Sequence, residues 1–118
     1  MTNTALVLEG GALRVVYTAG ILDVFMEENI HFPYVIGTSS GSLAGLNYVT
    51  NQKGRVAHIN ISYCKDKHYI SMRNRLTYGG VFNFDYLFEE PTPRWPNLDM
   101  DTYNHTDKRY IAVATSCE

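Results

Sequence analysis

Five consecutive residues, Gly37-Thr38-Ser39-Ser40-Gly41, carry the clearest chemical signal in the sequence. A serine in the pattern G-x-S-x-G is the arrangement of a nucleophile elbow. A strand turns sharply into a helix, and the serine is held at the tip in a strained backbone conformation. The turn brings its two ends together, so Gly37 and Gly41 supply the small residues it needs. The hydroxyl then projects into a cleft at a helix N-terminus, where free N–H groups and the helix dipole favour developing negative charge. That is the chemistry of acyl transfer, in which Ser39 attacks a carbonyl and forms an acyl-enzyme. Three fixed positions are a weak signal alone. A glycine-rich turn that binds phosphate, or does no chemistry, has the same residues. Ser40 stands where serine commonly caps a helix, and it and Ser42 read as structural hydroxyls.

A second signal lies upstream at Glu9-Gly10-Gly11-Ala12-Leu13-Arg14. Consecutive glycines let the backbone approach a ligand and aim N–H groups at an anion. In an acyl hydrolase this loop would form the oxyanion hole. Arg14 could hold a phosphate or carboxylate beside it. A dinucleotide loop and a plain turn are the competing readings. The spacing is not G-x-G-x-x-G, and no Walker pattern is present.

Both signals need strands before them and helices after them, and the hydrophobic pattern supplies these. Ala5 to Leu8 is a short apolar run ending at glycines, which predicts a buried strand. From Val15 to Glu28 the apolar residues take helical spacing on one broad face, and Asn29 is the expected stop. Tyr34-Val35-Ile36 is a second strand. Gly41 to Tyr48 returns to helical spacing, with Gly45 tolerable where a helix packs closely on a strand. Strand, helix, strand, helix implies a parallel sheet with right-handed crossovers. A short helix is expected within 53–63. Residues 64–78 resist assignment. Gly79-Gly80 is a turn, and the aromatic run Phe82 to Phe88 reads as a short helix started by Asn83, either core or lid. Residues 89–97 hold three prolines and read as loop, with Trp95 an exposed anchor. Tyr110 to Ala114 predicts one more core strand.

The 118 residues suffice for one small domain, and 45% hydrophobic residues suffice for a core. A net charge of −2 gives no basic field for nucleic acid. Arg73 and Arg75 make only a sparse cluster, read as solvated surface. Cys64 and Cys117 lie far apart and fit free thiols in a reducing, cytoplasmic setting. No signal peptide or membrane span is apparent. No residues show metal-ligand spacing, and no cofactor is called for. His31, His58, His68 and His105 all fall in or beside polar or loop segments and read as surface residues, though any could serve a triad. Asp85, Asp99, Asp101 and Asp107 fall among turns and prolines, and Asp23 reads as solvated.

The two signals together resemble the patatin-like phospholipase family, in its bacterial form. The likeness runs from Ala5 to about Asn51, through LVLEGGALRVVYTAGILDVF and YVIGTSSGSLAGLNY. FNFDYLFE and YIAVATSCE are similar with less specificity. The resemblance implies a three-layer α/β/α sandwich with a mostly parallel sheet, of which residues 1–118 would be the N-terminal part of a single domain. It implies a lipid or simple ester substrate, contact with a membrane surface, and a Ser–Asp dyad. Ser39 takes the nucleophile position, Gly11 and Ala12 the oxyanion donors, and Arg14 the loop arginine. Three departures stand out. Alanine occupies position 12 where the family usually has a third glycine, and its methyl would be strained if φ is positive there. Val15 replaces a frequent glycine. The family's aspartate sits in an Asp-Gly pair, and this sequence has none. The aspartate is therefore expected downstream of Glu118, and the sheet is expected to be truncated. Such a sheet would leave an unpaired edge and an uncovered apolar face, favouring self-association. A catalytically silent fragment that binds lipid or a partner is the alternative.

Overall fold

The computed structural model describes residues 3–89 and 97–117. The order of elements is β1 (Ala5–Leu8), a 3-10 turn (Ala12–Arg14), α1 (Val15–Glu27), β2 (Tyr34–Thr38) and α2 (Ser40–Val49). It continues with α3 (Arg55–Tyr63), α4 (Asn74–Tyr78), α5 (Phe84–Glu89), α6 (Met100–His105) and β3 (Arg109–Val113). The chain divides into two compact units, Met1–Ala57 with Asn97–Glu118, and His58–Pro96.

The first unit is an α/β structure on a three-stranded parallel sheet of order β1-β2-β3. Ala5 pairs with Tyr34, and Tyr34 with Arg109, so the strand rows run in register across the sheet. Because side chains alternate along a strand, one face carries Leu6, Leu8, Val35 and Tyr110. These pack with Val15, Ala19 and Leu22 of α1 and Ala44, Tyr48 and Val49 of α2 in a single core. Gly45 permits close contact of α2 with this core. A Cβ there would stand 3.0 Å from Val35 Cγ1 and 3.2 Å from Leu8 Cδ1. The close packing of helix on strand expected at this glycine is thus realised.

The mostly parallel α/β sheet expected of the fold is present, and in this unit α1 and α2 lie together on one of its faces. The reason is topological. Both crossovers step in the same direction along the sheet, and right-handed connections that do so leave their helices on one face. The other face carries Val7, Ile111 and Val113, exposed by 70%, 45% and 47%. The uncovered apolar face expected of such a sheet is therefore present.

Helix ends follow local chemistry. Asn29 stops α1 as expected, with φ 53°. The Ile30 N–H then reaches the Phe25 carbonyl at 2.8 Å, and the Asn29 N–H reaches that of Met26. This is a Schellman ending, with asparagine tolerating the left-handed position usually given to glycine. Asn51 ends α2 in the same way, φ 54°. The buried Tyr48 hydroxyl donates to the Ile30 carbonyl at 2.6 Å and accepts from the Phe32 N–H at 3.2 Å, fixing the chain's entry into β2. Burial pushes its pKa above the ordinary tyrosine value. Asp23 is not merely solvated, since its carboxylate accepts from the Gly54 N–H at 2.9 Å.

The second unit has its own core of Ile59, Tyr63, Tyr69 and Leu87, with Ile70, Phe82 and Tyr86 packed on it. Tyr63 meets Tyr69 and Tyr86 edge to face, a favoured aromatic geometry. The segment 64–78, unassigned by pattern, holds an Ile70–Phe82 antiparallel bridge and the turn α4. Asn83 starts α5 as expected, its side chain accepting from the Tyr86 N–H at 3.1 Å. Trp95 lies outside the described residues. Among the described residues, no helix is long and apolar enough to cross a membrane.

Candidate active site

β2 delivers Ser39 to its tip and α2 begins directly after it. Ser39 has φ 53° and ψ −129°, a conformation sparsely populated by residues with a side chain and costing on the order of 1–3 kcal/mol. The glycines around it explain how the turn closes. A Cβ on Gly37 would lie 2.5 Å from Ser42 Cα, and one on Gly41 would collide with the Glu9 carbonyl. The Ser39 carbonyl accepts from the N–H groups of Ser42 and Leu43, winding the first turn of α2. Ser39 is exposed, and among the described residues its hydroxyl has no hydrogen-bond partner.

The glycine loop lies against this elbow. A Cβ on Gly10 would stand 3.0 Å from Ser39 Cβ, so only glycine lets the loop come this near. The Gly11 N–H donates to Ser40 Oγ at 3.1 Å. Ser40 therefore does not cap α2. It ties the elbow to the loop, and it occupies one of the two donors expected for an oxyanion. The Ala12 N–H has no acceptor among the described residues. Ala12 has φ 48°, so the methyl strain foreseen at this position is real, about 1–2 kcal/mol. The Arg14 side chain folds back over Gly11. Its Nε would lie 3.4 Å from a Cβ there, and among the described residues it makes no ion pair. A groove of about 410 Å³ opens beside the loop, lined by Gly10, Gly11, Arg14, Tyr17, Thr18 and Ser40 among others.

Ser42, next on α2, is structural. Its hydroxyl lies 2.5 Å from that of Tyr110 on β3, which also reaches the Ser42 carbonyl. Sequence reasoning missed Tyr110 as a buttress, because nothing local links residues 68 apart in sequence. His105 Nδ1 contacts the Asp101 carbonyl and His68 pairs with Asp66. Asp99 caps α6, accepting from the Thr102 N–H at 2.9 Å. That bond, foremost, holds its carboxyl below the usual range. Among the described residues no metal-binding cluster of His, Cys, Asp or Glu occurs.

The arrangement of strand, strained serine and glycine loop agrees with a match to known proteins. The family model for patatin-like phospholipases matches residues 6–107, most of the chain. The chain belongs to the patatin-like phospholipase family. That family acts on lipids as acyl hydrolases. The chain is also similar to an uncharacterized protein of Escherichia coli (strain K12), YjjU, at 32% identity over 99 residues. The match covers 83% of this patatin-like chain and 28% of YjjU, so the chain spans under a third of that relative's length. No solved structure matches it.

Proposed function

We propose that this chain carries the nucleophile of a serine acyl hydrolase acting on phospholipid or neutral ester. The observation that carries the reading is the backbone of Ser39, strained at the strand-to-helix elbow with the glycine loop packed against it. Ser39 Oγ attacks the acyl carbonyl carbon while its proton passes to an aspartate supplied from outside these residues. The tetrahedral oxyanion accepts from the Ala12 N–H, and from the Gly11 N–H once Ser40 Oγ turns away. The alcohol leaves with the proton, and water then hydrolyses the acyl-enzyme by the same route. Arg14, held over the loop, pairs with the phosphate of a phospholipid. The free, exposed Cys64 and Cys117 fit a reducing compartment, the cytoplasm.

A second reading is favoured by one observation. The Gly11 donor is already engaged by Ser40, as it would be in a silent, lipid- or partner-binding member of the family. Hydrolysis of a short p-nitrophenyl ester by protein that includes that aspartate, with Ser39→Ala as control, separates the two. Ser39-dependent turnover excludes the silent reading. For the complete protein the enzyme reading expects an organophosphonate probe on Ser39. A folded complete protein that neither labels nor turns over would overturn it.

A further inference from the structure

One turn of the second unit has its polarity reversed. The Ser71 hydroxyl accepts from the Arg73 N–H at 3.0 Å, and its carbonyl accepts from the Asn74 N–H at 3.1 Å. The carbonyls of Met72 and Arg73 accept from Arg75 and Leu76, so helical winding begins just before α4. Gly79 ends it with φ 79°. The residue turned inward is Asn74, 6% exposed. Its amide donates to the carbonyls of His68 and Tyr69 at 3.1 and 3.2 Å, with the Val81 carbonyl at 3.4 Å. Those bonds set the rotation of the turn. At 100° per residue, Leu76 must then point away from the unit, with Met72 one turn before it on the same side. Leu76 is 90% exposed and Met72 67%. Arg73 and Arg75 flank this ridge, and neither makes an ion pair among the described residues.

The charge around the ridge is equally one-sided. Residues 65–78 hold Lys65, Lys67, Arg73 and Arg75 against the single carboxylate of Asp66, in a chain whose net charge is −2. That carboxylate is engaged internally, accepting from the Tyr86 hydroxyl at 3.1 Å and the His68 N–H at 2.9 Å. Two exposed apolar side chains bracketed by cations suit a surface that is apolar beneath and negative above. An anionic lipid interface has that profile, with acyl chains below a layer of phosphates.

We propose that the Met72–Leu76 ridge, with Arg73, Arg75 and the neighbouring Lys65 and Lys67, is a docking surface for an anionic lipid bilayer. Leu76 and Met72 enter the headgroup boundary while the four cations pair with lipid phosphates. Sparse as they are for nucleic acid, these cations complement a membrane surface because the apolar ridge stands between them. The surface works independently of catalysis.

The test is co-sedimentation of the whole chain, in a Ser39→Ala background, with vesicles of equal parts phosphatidylcholine and phosphatidylglycerol, and with phosphatidylcholine alone. Because Ser39→Ala removes any turnover, the outcome bears on docking and leaves the catalytic reading untouched. Binding to the anionic vesicles is expected, weakening as salt rises. Leu76→Ser, and separately Arg73→Glu with Arg75→Glu, should each lower the partition coefficient, the charge reversal by at least about tenfold. All these positions are exposed, and unchanged melting curves will show that the fold survives. No binding to anionic vesicles overturns the proposal. So does binding of equal strength to neutral vesicles, or binding that both variants retain. A Leu76-dependent self-association without vesicle binding would assign the ridge to a protein contact and overturn it too.

Discussion

At the scale of single residues, two backbone positions near the elbow work against their own side chains. Ser39 must hold φ 53° for its hydroxyl to stand clear of the sheet, and function would justify that strain. Ala12 holds φ 48° as well, and there the methyl has no task, since only the backbone N–H is used. Ala12→Gly should therefore stabilise the chain by about 1 kcal/mol in urea denaturation while keeping the N–H in place. An unchanged or lower midpoint would mean that the loop relaxes around the methyl. Ser40 invites a contrasting test. Its hydroxyl is the acceptor for the Gly11 N–H, so Ser40→Ala should cost about 1 kcal/mol of stability. If the proposed Ser39-dependent hydrolysis is measured, Ser40→Ala should not abolish it, because the freed N–H becomes available to the oxyanion. Ser39→Ala should abolish it. Loss of turnover in both variants would make Ser40 more than a tie.

At the scale of elements, two contacts decide how helices sit. α2 lies on the sheet through Gly45, where added bulk meets Val35, Leu8 and Tyr110. Gly45→Val should destabilise by about 1–3 kcal/mol through overpacking, read as a lower melting temperature. α4 is held by Asn74 rather than by an apolar contact. Asn74→Ala leaves backbone carbonyls short of a donor and should cost about 1–3 kcal/mol, with Asn74→Leu no better despite its apolar bulk. A neutral Asn74→Leu would show that shape, not hydrogen bonding, holds the turn. The elements from β1 to α2, and β3, were legible because strand and helix there are short, periodic and bounded by glycine, asparagine or proline, whereas α6 was not. Nor was the turn α4. Its buried residue is polar and its exposed residues are apolar, so hydrophobic pattern points the wrong way.

At the scale of the whole molecule, the three-stranded sheet presents Val7, Ile111 and Val113 to solvent on one face. Self-association is the expected consequence. Sedimentation velocity over a range of concentrations should show the chain shifting to larger species, and Ile111→Lys with Val7→Lys should abolish the shift. A strictly monomeric wild-type chain would show that the exposed rows are too narrow to pair. The family membership makes the same face informative. A sheet whose crossovers all step one way can be covered on its second face only by elements beyond these three strands.

The sequence by itself determined β1, α1, β2, α2 and β3 of the first unit, though not α6, together with the position of the elbow and the place of the glycine loop before α1. Each depends on residues within a turn or two of one another, where periodicity and glycine placement act directly. Tertiary structure decided the rest. Gly11 meets Ser40 across 29 residues and Ser42 meets Tyr110 across 68. Neither contact leaves a local trace, because a hydrogen bond between distant segments depends on register and packing rather than on the residues beside it. The same holds for the burial of Asn74 and the exposure of Leu76. Which face of a five-residue turn points inward is set by the carbonyls waiting for it, and only the folded chain brings those together.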